Sequence, residues 1–179
     1  MLGSSKFSRK SLDKVMKGYF GHRHFPEMTT NELMVISYEY NSQEPRFFSK
    51  YMTQENPGIY NTTIGNATAS SSAAPTFFNP HEVINGYNLT ELQIDGGTIC
   101  NNPTLYAFEL SRQMYGHKKT RVISLGTGQL PFTPVVAKDF TTATRLAMHG
   151  NFMMDFDAYS ADYWTRYTIG NSEDNYVRA

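Results

Sequence analysis

Only one cysteine, Cys100, occurs in 179 residues, so no intrachain disulfide can form. That suits a reducing, intracellular compartment better than an oxidising one. Net charge is also lacking: sixteen Lys and Arg offset sixteen Asp and Glu, and the isoelectric point is near 7.0. Nucleic-acid-binding domains favour a basic face, so this balance argues against such a partner. There is no polybasic run to hold an anionic membrane. No apolar run approaches the roughly 18–20 residues that span a bilayer. The first ten residues are polar and basic, without the apolar stretch of a signal peptide. The sequons at Asn61, Asn66 and Asn88 are about what this composition supplies by chance, and they carry no weight.

What is present is enough to build a core: 40% of residues are hydrophobic and 14% aromatic. The length suits one domain, residues 1–179. From Ser8 to Phe20, Leu12, Val15, Met16, Tyr19 and Phe20 recur at helical spacing, and Gly21 follows as a stop. Leu33 to Tyr38 is a short apolar run that reads as a buried strand, and Arg46 to Ser49 can pair with it. Small residues from Gly58 to Ser72 suit a tightly packed helix, which Pro75 stops. His81 to Thr90 reads as a loop. Leu92 to Ile94 forms a strand that ends at Asp95-Gly96-Gly97, a turn signal. Asn102 can cap the next helix and Pro103 fits its first position. Leu105, Phe108, Leu110 and Met114 give that helix its apolar side, and Gly116 ends it. Arg121 to Leu125 is another strand, closed by Gly126-Thr127-Gly128. Strand–helix–strand order from Leu92 to Leu125 implies parallel pairing through a right-handed crossover. Lys138 to Phe156 is expected to be helical. The class is α/β.

Asp95 is the strongest candidate for chemistry. It ends a strand expected to be parallel, where open α/β sheets place their sites. The glycines after it let backbone approach closely and free their amides to face it. On the tripeptide alone, an ordinary turn is the plainer reading. Other signals are weaker. Ser11-x-x-Lys14 lacks the companion motifs of its class. His22, His24 and Glu27 match no common metal spacing. His81-Glu82 opens like a zinc-protease motif, but Asn85 stands where the second histidine must be. Cys100 reads as a small buried thiol. Phe152, Met153, Met154 and Phe156 could touch lipid or a partner helix, with core packing the plainer reading. No cofactor or metal motif emerges.

Three blocks shift the balance for Asp95. Ala67-Thr68-Ala69-Ser70-Ser71-Ser72-Ala73-Ala74-Pro75 comes first. Asp95-Gly96-Gly97 running into Asn101-Asn102-Pro103 follows, and then Ser124-Leu125-Gly126-Thr127-Gly128. In this order and spacing they resemble the patatin-like phospholipase family. Gly3-Ser4-Ser5 with the Leu12–Gly21 segment, and Leu33 to Ser49, are similar to the family's middle section, so the resemblance spans nearly the whole chain. It implies a three-layer α/β/α domain with a mostly parallel central sheet. It also implies a Ser–Asp dyad without histidine, acting on a lipid or other acyl ester. Asp95 would be the proton acceptor, held by Gly96 and Gly97. Asn101, Asn102 and Pro103 would shape the site.

The departures matter equally. The family's nucleophile sits in a Gly-x-Ser-x-Gly elbow, and no such pattern occurs here. Ser5 follows Gly3 at the right distance, but Phe7 replaces the second glycine. The glycine-rich oxyanion loop is absent too, and Asn175-Tyr176-Val177-Arg178 resembles a family segment that normally continues. The expectation is a partial domain, inactive by itself: loss of a nucleophile costs roughly a millionfold. Loss of an oxyanion donor costs roughly a hundredfold or more besides. The strands at Leu33, Leu92 and Val122 would then present open edges, to be covered by another chain or by the missing segment. The alternative is a non-catalytic structural or scaffolding subunit derived from the family.

Overall fold

The structure, a computed structural model, describes residues 5–29, 31–116, 119–128, 142–169 and 175–178. Gly3, Ser4, the start of the expected Lys138 helix and the Phe152 side chain lie outside the described residues. The chain divides into two compact units, Met1–Ile99 and Cys100–Ala179. The first runs α1 (Lys10–Phe20), a 3-10 turn (Phe25–Glu27), β1 (Met34–Glu39), β2 (Glu44–Ser49), α2 (Lys50–Glu55), α3 (Pro57–Tyr60), α4 (Ile64–Ser71), β3 (His81–Ile84), β4 (Thr90–Asp95) and a second 3-10 turn (Gly96–Thr98). The second holds α5 (Thr104–Tyr115), β5 (Val122–Ser124), α6 (Thr142–Ile169) and β6 (Tyr176–Arg178).

The α/β class holds, but the main sheet is not parallel. Its order is β2-β1-β4-β3, and every pairing in it is antiparallel. The connections explain this. β1 and β2 are joined by residues 40–43, and β3 and β4 by residues 85–89. A parallel crossover needs a dozen residues or more, so such short links enforce hairpins. Residues 81–90, expected as a loop, therefore contain β3 and a tight turn. Asn85 builds that turn, its Oδ1 accepting from the amides of Tyr87 and Leu89, both at 3.0 Å. Asn88 adopts φ 61°, a left-handed conformation that asparagine tolerates.

The expected β4–β5 crossover pairing fails for a related reason. Both edges of β4 are taken, by β1 and β3, while β5 pairs in parallel with β6. Nor do the strands at Leu33 and Leu92 present open edges, since both lie inside the sheet. Among the described residues β5 has one paired neighbour, and its Ile123 is exposed.

Cross-strand register puts Ser37 opposite both Arg46 and Asp95, and Glu39 opposite Gln93. Directly opposed residues share a face. The inner face therefore carries Ser37, Glu39, Arg46, Glu91 and Gln93 together with Phe48 and Val83, all buried. Phe48 joins Phe25, Ile64 and Ala67 in the hydrophobic core, which places α4 against this face. The expected helix over Gly58–Ser72 is split into α3 and α4. Asn56 caps the first through the Ile59 amide, and Thr63 caps the second through the Asn66 amide. α1 packs across α4 near Gly65, where a Cβ would meet the Met16 and Gly21 carbonyls at ordinary contact distances of 3.6 and 3.5 Å.

Candidate functional site

Asp95 closes β4, and its side chain folds over the turn that follows. Oδ1 accepts from the Gly97 amide at 2.7 Å. The Asp95 amide donates to the Ala73 carbonyl at 3.1 Å, which ties the strand end to the segment leaving α4. Two of the blocks singled out in the sequence are thus joined. Gly96 is required by close approach: a Cβ there would lie 2.8 Å from the Ile36 carbonyl carbon and nearer still to its oxygen. No side chain fits between the turn and β1.

Burial is the main influence on the carboxyl, pushing its pKa above the usual value, while the Gly97 hydrogen bond opposes it. Desolvation penalises the charged form, so this carboxylate accepts a proton more readily than a free aspartate. Among the described residues no cation, histidine or serine hydroxyl is bonded to it. Behind it a polar column runs along the inner face. Ser37 Oγ donates to Gln93 Oε1 at 2.6 Å, and Gln93 Nε2 donates to Glu91 Oε2 at 2.6 Å. Arg46 Nη2 donates to Glu91 Oε1 at 3.0 Å. Sequence reading missed these partners because they come from three different strands.

In the second unit, the amides of Asn101 and Asn102 donate to Asp157 Oδ2 at 2.6 and 3.3 Å. The buried Asn102 side chain donates to the Ala158 carbonyl and accepts from the Thr104 amide at 3.1 Å. The expected cap is shifted: Pro103, expected as the first helical residue, is the N-cap of α5, and Asn102 lies one residue before it. Thr104 Oγ1 donates to Asn102 Oδ1 at 2.5 Å and shares a hydrogen bond of 2.8 Å with Ser124 Oγ. Asn102, Thr104 and Ser124 thus form one buried cluster, held through Asp157 and Ala158 of α6. No sequence signal marked Asp157, which lies 56 positions from Asn101.

Other candidates resolve plainly. Cys100 is buried, and burial together with the Asp157 charge pushes its thiol up to about 12, so it is a poor nucleophile. His24 Nδ1 lies 3.1 Å from Asn61 Oδ1, and Glu27 accepts from the His24 amide at 3.2 Å, so both serve the turn. His81 is pushed below its ordinary value by burial and by Arg9, with Asp13 acting against both. Among the described residues no group of three His, Cys, Asp or Glu is placed to hold a metal ion. Met153, Met154 and Phe156 are exposed, which corrects the expectation of core packing. They lie on a 28-residue helix whose outward side chains include Tyr159, Tyr163 and Tyr167. No helix of the described residues is long and apolar enough to cross a membrane.

A desolvated carboxylate seated on a glycine turn at a strand end is a candidate for acid–base chemistry. No family model matches the chain. Patatin-like protein 3 of Arabidopsis thaliana is 31% identical over 147 residues, covering 73% of this chain and 34% of the relative. The 85/88 kDa calcium-independent phospholipase A2 of Rattus norvegicus is 40% identical over 84 residues, covering 41% of this chain and 9% of the relative. Probable inactive patatin-like protein 9 of Arabidopsis thaliana is 27% identical over 109 residues, covering 58% and 28%. The chain belongs to the patatin-like family, and it spans about a third of the length of the plant relatives it matches.

Proposed function

We propose that residues 1–179 supply the middle and C-terminal portion of a patatin-like lipid acyl hydrolase, with Asp95 as its general base. The serine nucleophile would come from a segment other than these residues. The single observation that carries the reading is the state of Asp95: half-buried, raised in pKa, held by one amide and, among the described residues, bonded to no cation. In the full site the serine hydroxyl would attack the acyl carbonyl as Asp95 takes its proton, and Asp95 would pass that proton to the departing alcohol, leaving an acyl-serine. Asp95 would then deprotonate a water that attacks the acyl-serine, and the proton would return to the serine oxygen as the acid leaves. Gly96 and Gly97 set the carboxylate, and Asn101, Asn102 and Pro103 shape the neighbouring segment. The exposed Ile84, Ile123 and Leu125 agree with further protein covering parts of this chain.

By itself the chain is expected to form no covalent adduct with a fluorophosphonate probe and to hydrolyse no short-chain ester. Co-expressed with a patatin-like segment carrying Gly-x-Ser-x-Gly, it is expected to restore hydrolysis, and Asp95→Ala abolishes that gain. Labelling of the chain alone, or restoration that survives Asp95→Ala, refutes the assignment. A second reading, a non-catalytic scaffolding subunit, is favoured by the likeness to the relative named probable inactive. Failure to restore hydrolysis in a complex that demonstrably forms would select it.

A further inference from the structure

The balanced total conceals a segregation of charge. Residues 5 to 23 hold six cations against one acid, and the rest of the chain holds ten against fifteen. That single acid is already engaged. Arg9 turns inward and donates to Asp13 Oδ1 and to the Ala69 carbonyl, both at 3.0 Å. Lys6, Lys10, Lys14, Lys17 and Arg23 all remain exposed. In sequence the cations are dispersed and form no run. On α1, spacings of four and three bring Lys10, Lys14 and Lys17 to one side of the helix.

Apolar groups line the other flank of the exposed side. The inward side of α1 uses Leu12, Met16 and Phe20, which leaves Val15 and Tyr19 outside, and Tyr19 is 79% exposed. Just before the helix, Phe7 stacks on Phe77 with ring centroids 6.2 Å apart. Lys6 Nζ sits over both rings at 5.2 and 5.6 Å. Two backbone hydrogen bonds, from the Lys6 amide to Thr76 and from the Phe7 amide to Phe77, fasten this pair to the fold. Phe7 is still 47% exposed. Gly18 leaves a notch between these side chains, and nothing lies within 4 Å of a Cβ built there.

We propose that the outer side of α1, with the Phe7–Phe77 pair, docks on an anionic phospholipid surface. Lysines along one flank of an exposed helix side, with aliphatic and aromatic groups along the other, suit the headgroup boundary, where ammonium groups meet phosphates and rings enter the acyl edge. The charge complementarity is local, five exposed cations on a chain with no net charge, and it orients the molecule. The inference does not depend on Asp95 or on a nucleophile.

Co-sedimentation of the whole chain with vesicles tests it. Binding to phosphatidylcholine vesicles containing about 30% phosphatidylserine is expected, with little binding to pure phosphatidylcholine and loss of binding in high salt. Each surface lysine contributes about fivefold, so the triple variant Lys10→Gln, Lys14→Gln, Lys17→Gln weakens binding about a hundredfold. Tyr19→Ser weakens it about tenfold while leaving the salt dependence in place. These residues are exposed, so circular dichroism should be unchanged in both variants. Asp95→Ala leaves vesicle binding intact, which separates this test from the catalytic one. Equal binding to both vesicle types, or an unaffected triple variant, overturns the proposal. So does failure of the wild-type chain to bind anionic vesicles. A dimer in lipid-free sedimentation velocity that the triple variant abolishes overturns it too, by making α1 a self-association face.

Discussion

Removing Glu91 tests how the Asp95 strand is held. Glu91 and Arg46 keep only 9% and 7% of their side-chain surface exposed, and Arg46 Nη2 reaches Glu91 at 3.0 Å. The same carboxylate accepts from Gln93 Nε2 at 2.6 Å and Asn85 Nδ2 at 3.2 Å. Glu91→Ala therefore strands a buried guanidinium and two buried amides. Breaking a buried pair from one side costs about 3–5 kcal/mol. Arg46 would keep Glu44 at 3.1 Å and Ser42 at 3.3 Å, which favours the lower end, about 3 kcal/mol. For a chain of this length that lowers the melting temperature by roughly 6–12 °C. Replacing both partners, Arg46→Met with Glu91→Leu, removes the stranded charge. Its remaining cost is the unpaired Gln93 and Asn85 groups, about 1–2 kcal/mol in all. Urea midpoints at constant slope give each value, and the double-mutant cycle should show coupling of at least about 1 kcal/mol. A Glu91→Ala cost below about 1 kcal/mol, or additive single effects, would mean that the pair is solvated and the inner face is not a dry polar core.

Two further substitutions probe the turn and its carboxylate. Gly96→Ala forces a methyl into the Ile36 backbone and should destabilise by roughly 1–3 kcal/mol or more. Gly18→Ala, which meets nothing, should stabilise α1 by up to about 1 kcal/mol; equal effects of the two in urea would refute the close-approach argument. Burial raises the Asp95 pKa above its usual 3.8, so the folded state favours the protonated form. The stability linked to that proton is fully present below pH 3.8 and is lost as pH rises through the folded value. Asp95→Asn, neutral throughout, should therefore melt above the wild type at pH 7, and the gap should close toward pH 4. A gap independent of pH would show that the carboxyl is not desolvated.

Much of the local structure was legible in the sequence. The three-and-four spacing of Leu12, Val15, Met16, Tyr19 and Phe20 announced α1, which starts at Lys10 rather than Ser8. The apolar runs announced β1, β4 and β5 to within about two residues. β3 was hidden because its solvent-facing positions include Glu82, and its turn uses Asn85 and Asn88 rather than a familiar Asn-Gly pair. The C-terminal part of α6 was hidden because its aromatics face outward and leave no clear apolar stripe. Parallel pairing was inferred from element order, which says nothing about which strand edges are already occupied. Asp95, Gly96 and Gly97 were readable because they adjoin in the chain. Ala73, Ile36, Ser37 and Asp157 were not, because only the fold brings each to its partner.

The inverted sheet explains why that strand end is so well determined. Glu91, Gln93 and Asp95 face inward together, and Leu92 and Ile94 face the other way. A slip of one residue would send the first set outward and the second inward. It would also separate Glu91 from Arg46 and Gln93 from Ser37, leaving a buried cation and buried amides unpaired. An apolar inner face would tolerate a slipped strand at lower cost, since any aliphatic side chain can replace another in contact with α4. Directional pairs cannot be exchanged in that way. The polar column therefore specifies the register that sets Asp95 opposite Ser37 and beside the Ala73 carbonyl. Gly96 adds a second constraint, because only that register lets the turn lie against Ile36. The proposed role of Asp95 as proton acceptor needs a fixed position, and that position follows from the polar pairs buried across the sheet.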